Sequence, residues 1–152
     1  MSRGPIPTWY FAIVVVRMRD HVLLVHEKKH GQKWYLPAGR VEPGETIAEA
    51  AHRETMEEAG IPIILEGIIR VEHSPAPDGT ARCRVLYLAR AADETPPKSI
   101  ADEHSLGAAW VRVRELGEYE LRGQEVVRLC EYLDRGGKVA PIELIAAEDS
   151  PL

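Results

Sequence analysis

Between Leu36 and Ile61 the chain reads LPAGRVEPGETIAEAAHRETMEEAGI, and this stretch constrains the fold more than any other. Thr46 suits a helix N-cap, Glu49 three residues later completes a capping-box pattern, and Gly60 and Pro62 stop the helix after about Ala59. Ala48, Ala51, His52, Thr55 and Ala59 recur at helical spacing and form a thin face that lets the helix lie close to a sheet. His52 on that face reads as a packing or hydrogen-bonded histidine rather than a ligand.

The same helix sets Glu54, Glu57 and Glu58 at i, i+3 and i+4, so three carboxylates share one patch. Like charges at that spacing destabilise an exposed helix by ~0.2–0.5 kcal/mol a pair, and in the C-terminal half the helix dipole also disfavours anions. Either the patch is a solvated charged face, or a hard cation such as Mg²⁺ sits against it and reverses the sign of the cost. The surrounding residues favour the cation. Gly39 and Gly44 permit a tight, closely approaching loop before the helix, and Glu45 with Arg53 can form an ion pair that braces the loop.

The flanking segments read as β-structure. Trp9 to Met18 and VLLVH form two strands of a hairpin, EKKHGQK is a polar loop that can flank a ligand site, and WYLPAG ends in a turn at Pro37 to Gly39. IPIILEGIIRVEH reads as one or two strands, a turn at Pro75 to Gly79 follows, and TARCRVLYLARA is the returning strand. Ala92 to Gly107 is an acidic, proline-containing loop, AAWVRV a further strand, GQEVVRLCEYLDRGG a helix, and the tail KVAPIELIAAEDSPL packs on the domain or on a neighbour.

A chain of 152 residues suits a single domain, 1–152, with residues 1–8 and 146–152 as flexible tails. Its formal net charge of -5 makes a nucleic-acid partner an unlikely expectation, since backbone binding relies on clustered cations. An acidic protein that handles phosphates needs a local cation, and a carboxylate-held metal supplies one. Cys83 and Cys130 lack CxxC spacing, so no zinc or redox site is expected. The run FAIVVV is too short to span a bilayer and the start lacks a signal-peptide core, so a cytoplasmic protein with no membrane association is expected.

Gly39, Glu45, Arg53, Glu54, Glu57, Glu58, Gly60 and Ile61 together resemble the Nudix box, G-x5-E-x7-R-E-U-x-E-E-x-G-U with U a bulky apolar residue. Thr55 is the one departure, and its methyl on the core face implies a small packing change. The resemblance implies the Nudix fold, an α/β/α sandwich around a central mixed β-sheet. It also implies metal-dependent hydrolysis of a nucleoside diphosphate linked to another group, with Mg²⁺ or Mn²⁺ as cofactor. Glu54, Glu57 and Glu58 are then the metal ligands, joined by the carbonyl of Ala38, and Gly39, Glu45 and Arg53 are the structural brace. The proton acceptor is Glu54 or Glu103, because similar enzymes take an acidic residue from the loop before the later strand. Asp102 and Glu103 equally suit loop solvation.

The wording around the box, WYLPAGRVEPGET and LGAAWVRV, is most similar to enzymes acting on oxidised purine nucleoside diphosphates, which yield the monophosphate and phosphate. Trp34 or Tyr35 can stack on a base or fill the core. Arg82 and Arg84 share one strand face and either meet substrate or face solvent. ADP-sugar or dinucleotide pyrophosphatase is the second enzymatic reading. A nucleotide-sensing Nudix module without turnover is the third, and a homodimer is an expectation from the same resemblance.

Overall fold

The first strand, β1 (Thr8–Met18), is buried on both faces over Ala12 to Val16, which marks it as the middle of a covered sheet. Ala12, Val14 and Val16 enter one apolar cluster and Ile13 and Val15 the other, as strand alternation requires. The structure, a computed structural model, describes residues 3–152. Part of the expected 1–8 tail, residues 1–2, lies outside the described residues. Its other end is corrected: Thr8 already pairs with Ala81, and the Ala81 N–H donates to the Pro7 carbonyl at 3.0 Å.

The remaining strands are β2 (His21–His26), β3 (Trp34–Tyr35), β4 (Ala38–Arg40), β5 (Ile63–Pro75), β6 (Ala81–Ala91) and β7 (Gly107–Arg112). They form a mixed sheet in the order β3-β2-β1-β6-β5, with β4 added to β1 and β7 to β2. Among the described strands only β1 and β6 run parallel. The expected hairpin is present but brief, pairing only Arg17 with Val22 and Met18 with His21, and Arg19 turns it at φ 55°. Upstream, β1 leaves β2 and pairs with β4 and β6. β5 is a single strand whose register shifts twice against β6, between Leu65 and Gly67 and between Ile68 and Arg70.

Helix α1 (Ile47–Ala59) covers one face and α2 (Glu125–Asp134) the other, which is an α/β/α sandwich. The capping box at Thr46 and Glu49 is formed, and Gly60 closes α1 in the left-handed region at φ 70°. The buried arc of α1 differs from the expected face. Ala50 rather than Ala48 joins Ala51, Thr55 and Ala59 inside, and His52 is exposed. Thr55 is fully buried, its hydroxyl donating to the Ala51 carbonyl at 2.8 Å, so this polar atom is satisfied within the helix.

The tail packs on the same chain. Ala140 exchanges two backbone hydrogen bonds with Ile68 at 2.7 and 2.8 Å, and Ala140 and Ile142 join the α1-side core. A Cβ on Gly67 would overlap Val139, so this glycine permits the tail's close approach.

Candidate active site

Arg53 organises the loop that precedes α1. Its Nε donates to Glu45 Oε2 at 2.6 Å and its Nη2 to Glu45 Oε1 at 2.9 Å, a bidentate pair. Nη2 also donates to the Arg40 carbonyl at 2.9 Å, while Nη1 reaches Glu54 at 2.8 Å and Glu57 at 3.2 Å. One guanidinium therefore joins β4, the loop and the acidic edge of the helix. Gly39 is required for the fit, because a Cβ there would overlap the Glu54 carboxylate.

Burial sets the electrostatics of the acidic edge. The Glu58 carboxyl is pushed up to about 8, chiefly by desolvation, with Glu54, Glu27 and Glu57 adding repulsion and the Ala38 N–H opposing. That N–H donates to Glu58 Oε1 at 2.8 Å. Desolvation also raises Glu54 above the ordinary carboxylate range against the pull of Arg53. The β1–β4 ladder explains why Ala38 faces the helix. Val14 bonds Pro37 and Val41 bonds Tyr10, so Ala38 lies in a non-hydrogen-bonded pair with Ile13, and its N–H and carbonyl both turn away from β1.

The loop after β6 closes over the end of α1. Lys98 Nζ donates to the Glu57 carbonyl at 2.6 Å and pairs with Asp102 at 2.8 Å. Lys98 and the His104 and Ser105 amides hold the Asp102 carboxyl down, at about 2. Asp102 is thus engaged in the loop's own structure. Glu103 is exposed on the cleft rim, and His104 lies between acids, with Nδ1 3.6 Å from Glu57 and Nε2 3.5 Å from Glu103.

A cleft of about 820 Å³ is lined by Ala38, Gly39 and Glu58, where this acidic edge meets it, and by a basic wall of Lys28, Lys29, Arg82, Arg122 and Arg128. Tyr35 lines it, its hydroxyl donating to Glu125 and accepting from Arg84 at 3.2 Å, with Arg122 stacked 4.1 Å from the ring centroid. Trp34, on the opposite face of β3, does not line the cleft. Its ring stacks on His26 at 4.6 Å and meets Tyr119 edge-on, so the expectation that it reaches a base is corrected by strand alternation. Arg82 and Arg84 both line the cleft, but Arg84 is committed to Glu125 at 2.8 Å and Glu72 at 3.2 Å. Arg82 rests on Phe11, 4.7 Å from its centroid.

Glu27, Lys98, His104, Arg122 and Glu125 were not singled out from sequence. Each lies outside the 39–61 motif and comes to the cleft, or in the case of Lys98 to the loop beside it, only through strand pairing or loop closure, so no local pattern marks it.

Among the described residues no group of three His, Cys, Asp or Glu side chains forms a ready cage for an ion. The donor set nevertheless suits Mg²⁺, which takes one or two carboxylates and fills its shell with waters and substrate phosphates. Glu54, Glu57 and Glu58 could supply carboxylates and Ala38 its outward carbonyl. Glu27 Oε1 is a buried carboxylate oxygen lacking any hydrogen-bond partner on the same cleft.

This fold and site define a Nudix protein: the NUDIX domain model matches residues 7–130, and the chain belongs to the Nudix hydrolase family. It is 38% identical to the 8-oxo-dGDP phosphatase NUDT18 of Homo sapiens over 141 residues, covering 91% of this chain and 42% of that protein. The chain thus spans less than half the length of the first curated relatives it matches. It is also 31% identical to the phosphatase NudJ of Escherichia coli O1:K1 / APEC over 132 residues, 86% of each chain. A NUDIX hydrolase from Nitrosomonas europaea matches the fold with a TM-score of 0.76 at 27% identity, covering 95% of this chain and 99% of that one. No helix among the described residues is long and apolar enough to cross a membrane.

Proposed function

We propose that the protein hydrolyses a diphosphate linkage in a nucleotide with Mg²⁺, or Mn²⁺, as cofactor. The substrate class is an oxidised purine nucleoside diphosphate, released as the monophosphate and inorganic phosphate. The observation that carries this reading is that Glu58, which shares one helix edge with Glu54 and Glu57, lines a cleft together with Ala38 and the cations Lys28, Lys29, Arg82 and Arg128, since a metal-bound diphosphate complements both charges. The activity named for the human relative, 8-oxo-dGDP phosphatase, supports the substrate class.

A divalent cation held by Glu54, Glu57, Glu58 and the Ala38 carbonyl would neutralise phosphate charge and lower the pKa of a coordinated water. The chain's own residues do the positioning. Arg82, Lys28 and Lys29 meet the anionic oxygens, and Tyr35, with Arg122 stacked on its ring, forms the floor. Of the two candidate proton acceptors we favour Glu103. Glu54 is engaged by Arg53 and seated on Gly39, while the Glu103 carboxylate stands on the cleft rim with only His104 beside it. The two free thiols, Cys83 half-buried and Cys130 buried, suit a reducing cytoplasm.

The test is a product assay with Mg²⁺ on ordinary and oxidised nucleoside di- and triphosphates, ADP-ribose and dinucleoside polyphosphates. Phosphate release from the oxidised purine diphosphate is expected. AMP with a sugar phosphate would replace this reading with an ADP-sugar pyrophosphatase, and nucleotide binding without turnover with a sensor.

A further inference from the structure

We infer that Lys98 and Ser105 are positioning residues that fasten the Glu103–His104 segment to the last turn of α1. They bond the backbone of Glu57 and of Glu58, the residue of the acidic edge whose side chain lines the cleft. This inference rests on the hydrolytic reading above.

Lys98 is held at every polar group. Its N–H donates to the Ala59 carbonyl at 2.8 Å and its carbonyl accepts from Ala108 at 2.8 Å, so its backbone ties the end of α1 to the start of β7. Its side chain is only 14% exposed, and Nζ reaches both the Glu57 carbonyl and Asp102. Ser105 is fully buried, its hydroxyl donating to the Glu58 carbonyl at 2.7 Å. The carbonyls of Glu57, Glu58 and Ala59, left open by the helix end, are therefore all taken by this one loop.

An ordinary helix cap would stop there. Here the Asp102 oxygen that pairs with Lys98 also accepts from the amides of His104 at 2.8 Å and Ser105 at 3.3 Å, and the Ser105 carbonyl accepts from Asp102 at 3.0 Å. Glu103 is thus strung between fixed neighbours, and their shared anchor is the helix that carries the acidic edge. Gly107 makes the approach possible, because at φ 150° a Cβ there would lie 3.2 Å from the Lys98 carbonyl. The arrangement fixes where Glu103 stands relative to Glu57 and Glu58 without either Lys98 or Ser105 touching substrate.

The test uses Lys98→Met and Ser105→Ala in steady-state assays with Mg²⁺ and the oxidised purine diphosphate, alongside thermal melts. A small misplacement of a reacting group is costly, so kcat should fall roughly 10- to 100-fold with KM within about 3-fold. Lys98→Arg and Ser105→Thr should recover most of the rate. In a Glu103→Gln background, adding Lys98→Met should change kcat by less than about 3-fold, because the group it positions is gone. Full additivity with Glu103→Gln, or a raised KM at unchanged kcat, overturns the inference. Hydrogen exchange separates it from the hydrolytic reading: Lys98→Met should speed exchange of the 103–105 amides and leave β1 and β6 unchanged. If the wild type turns over no diphosphate, the hydrolytic reading fails; unchanged exchange at 103–105 independently sinks the latch.

Discussion

The acidic edge that meets the cleft at Glu58 comes from one helix, α1, while the basic wall is gathered from the 28–30 loop, β6, the 122–124 turn and α2. The two walls also handle their charge differently. In the acidic wall Glu54 and Glu57 share one internal cation, Arg53, Glu58 accepts from the Ala38 N–H, and burial raises Glu54 and Glu58 above their ordinary range. In the basic wall Arg84 and Arg122 are matched to Glu125, Glu72 and Glu27, and among the described residues Arg82 and Arg128 carry no ion pair. The acidic wall is therefore built with charge left to be neutralised by something bound, and the basic side divides into paired scaffolding, Arg84 and Arg122, and cations that carry no ion pair among the described residues, Lys28, Lys29, Arg82 and Arg128.

The acidic wall should be the more sensitive to substitution. Glu57→Gln and Glu58→Gln keep shape and remove charge, so each should lower kcat/KM by about 10³-fold or more with circular dichroism and melting close to wild type. Full activity in both would remove the functional difference between the walls. Gly39→Ala follows. The added methyl displaces the Glu54 carboxylate, and a loss of roughly 10²-fold in kcat is expected, with a calorimetric drop in Mn²⁺ affinity showing that the carboxylate moved.

The charge left in the acidic wall also has a stability signature. The folded-state Glu58 carboxyl, raised from 4.5 to about 8, binds its proton more tightly than the unfolded chain does. Stability of the metal-free protein should then fall as pH rises from about 4.5 towards 8, by on the order of a few kcal/mol, rather than rise as for an ordinary salt-bridged acid. Urea titrations in EDTA at both ends of that window measure the slope. Glu58→Gln should flatten it, and an equal slope in the variant would assign the effect elsewhere.

The same contrast explains how much was legible in the sequence. The helix limits, its capping box and the Gly39, Glu45 and Arg53 brace are local, so spacing alone exposes them. The strands were readable because β1 and β2 carry apolar runs rich in β-branched residues, FAIVVV and VLLV. The buried arc of α1 was misplaced by a step because alanines flank it on several sides, and small residues carry little periodic signal. Trp34 and Tyr35 could not be told apart until β3 acquired a register, since one residue of shift exchanges the faces. Glu27, Lys98 and Arg122 act through partners such as Glu57, 41 positions from Lys98, and nothing local announces such a pair.

Arg82 and Arg84 provide the finest division between scaffold and free cation, because they lie on one strand, one face and one cleft. Arg84→Ala would strip Glu125 of its cation and leave Glu72 to the exposed Arg70 alone, so a loss of about 1–3 kcal/mol in stability is expected together with any loss of rate. Arg82→Ala breaks no ion pair and gives up only the contact with Phe11, so stability should stay within about 0.5 kcal/mol. Its effect should instead fall on substrate, as a KM raised about 3- to 10-fold at unchanged kcat, and this rise should shrink in high salt because the lost interaction is an exposed charge on phosphate. If Arg82→Ala unfolds the protein more readily than Arg84→Ala, or if its KM is unchanged at low salt, the free cation has been assigned to the wrong arginine.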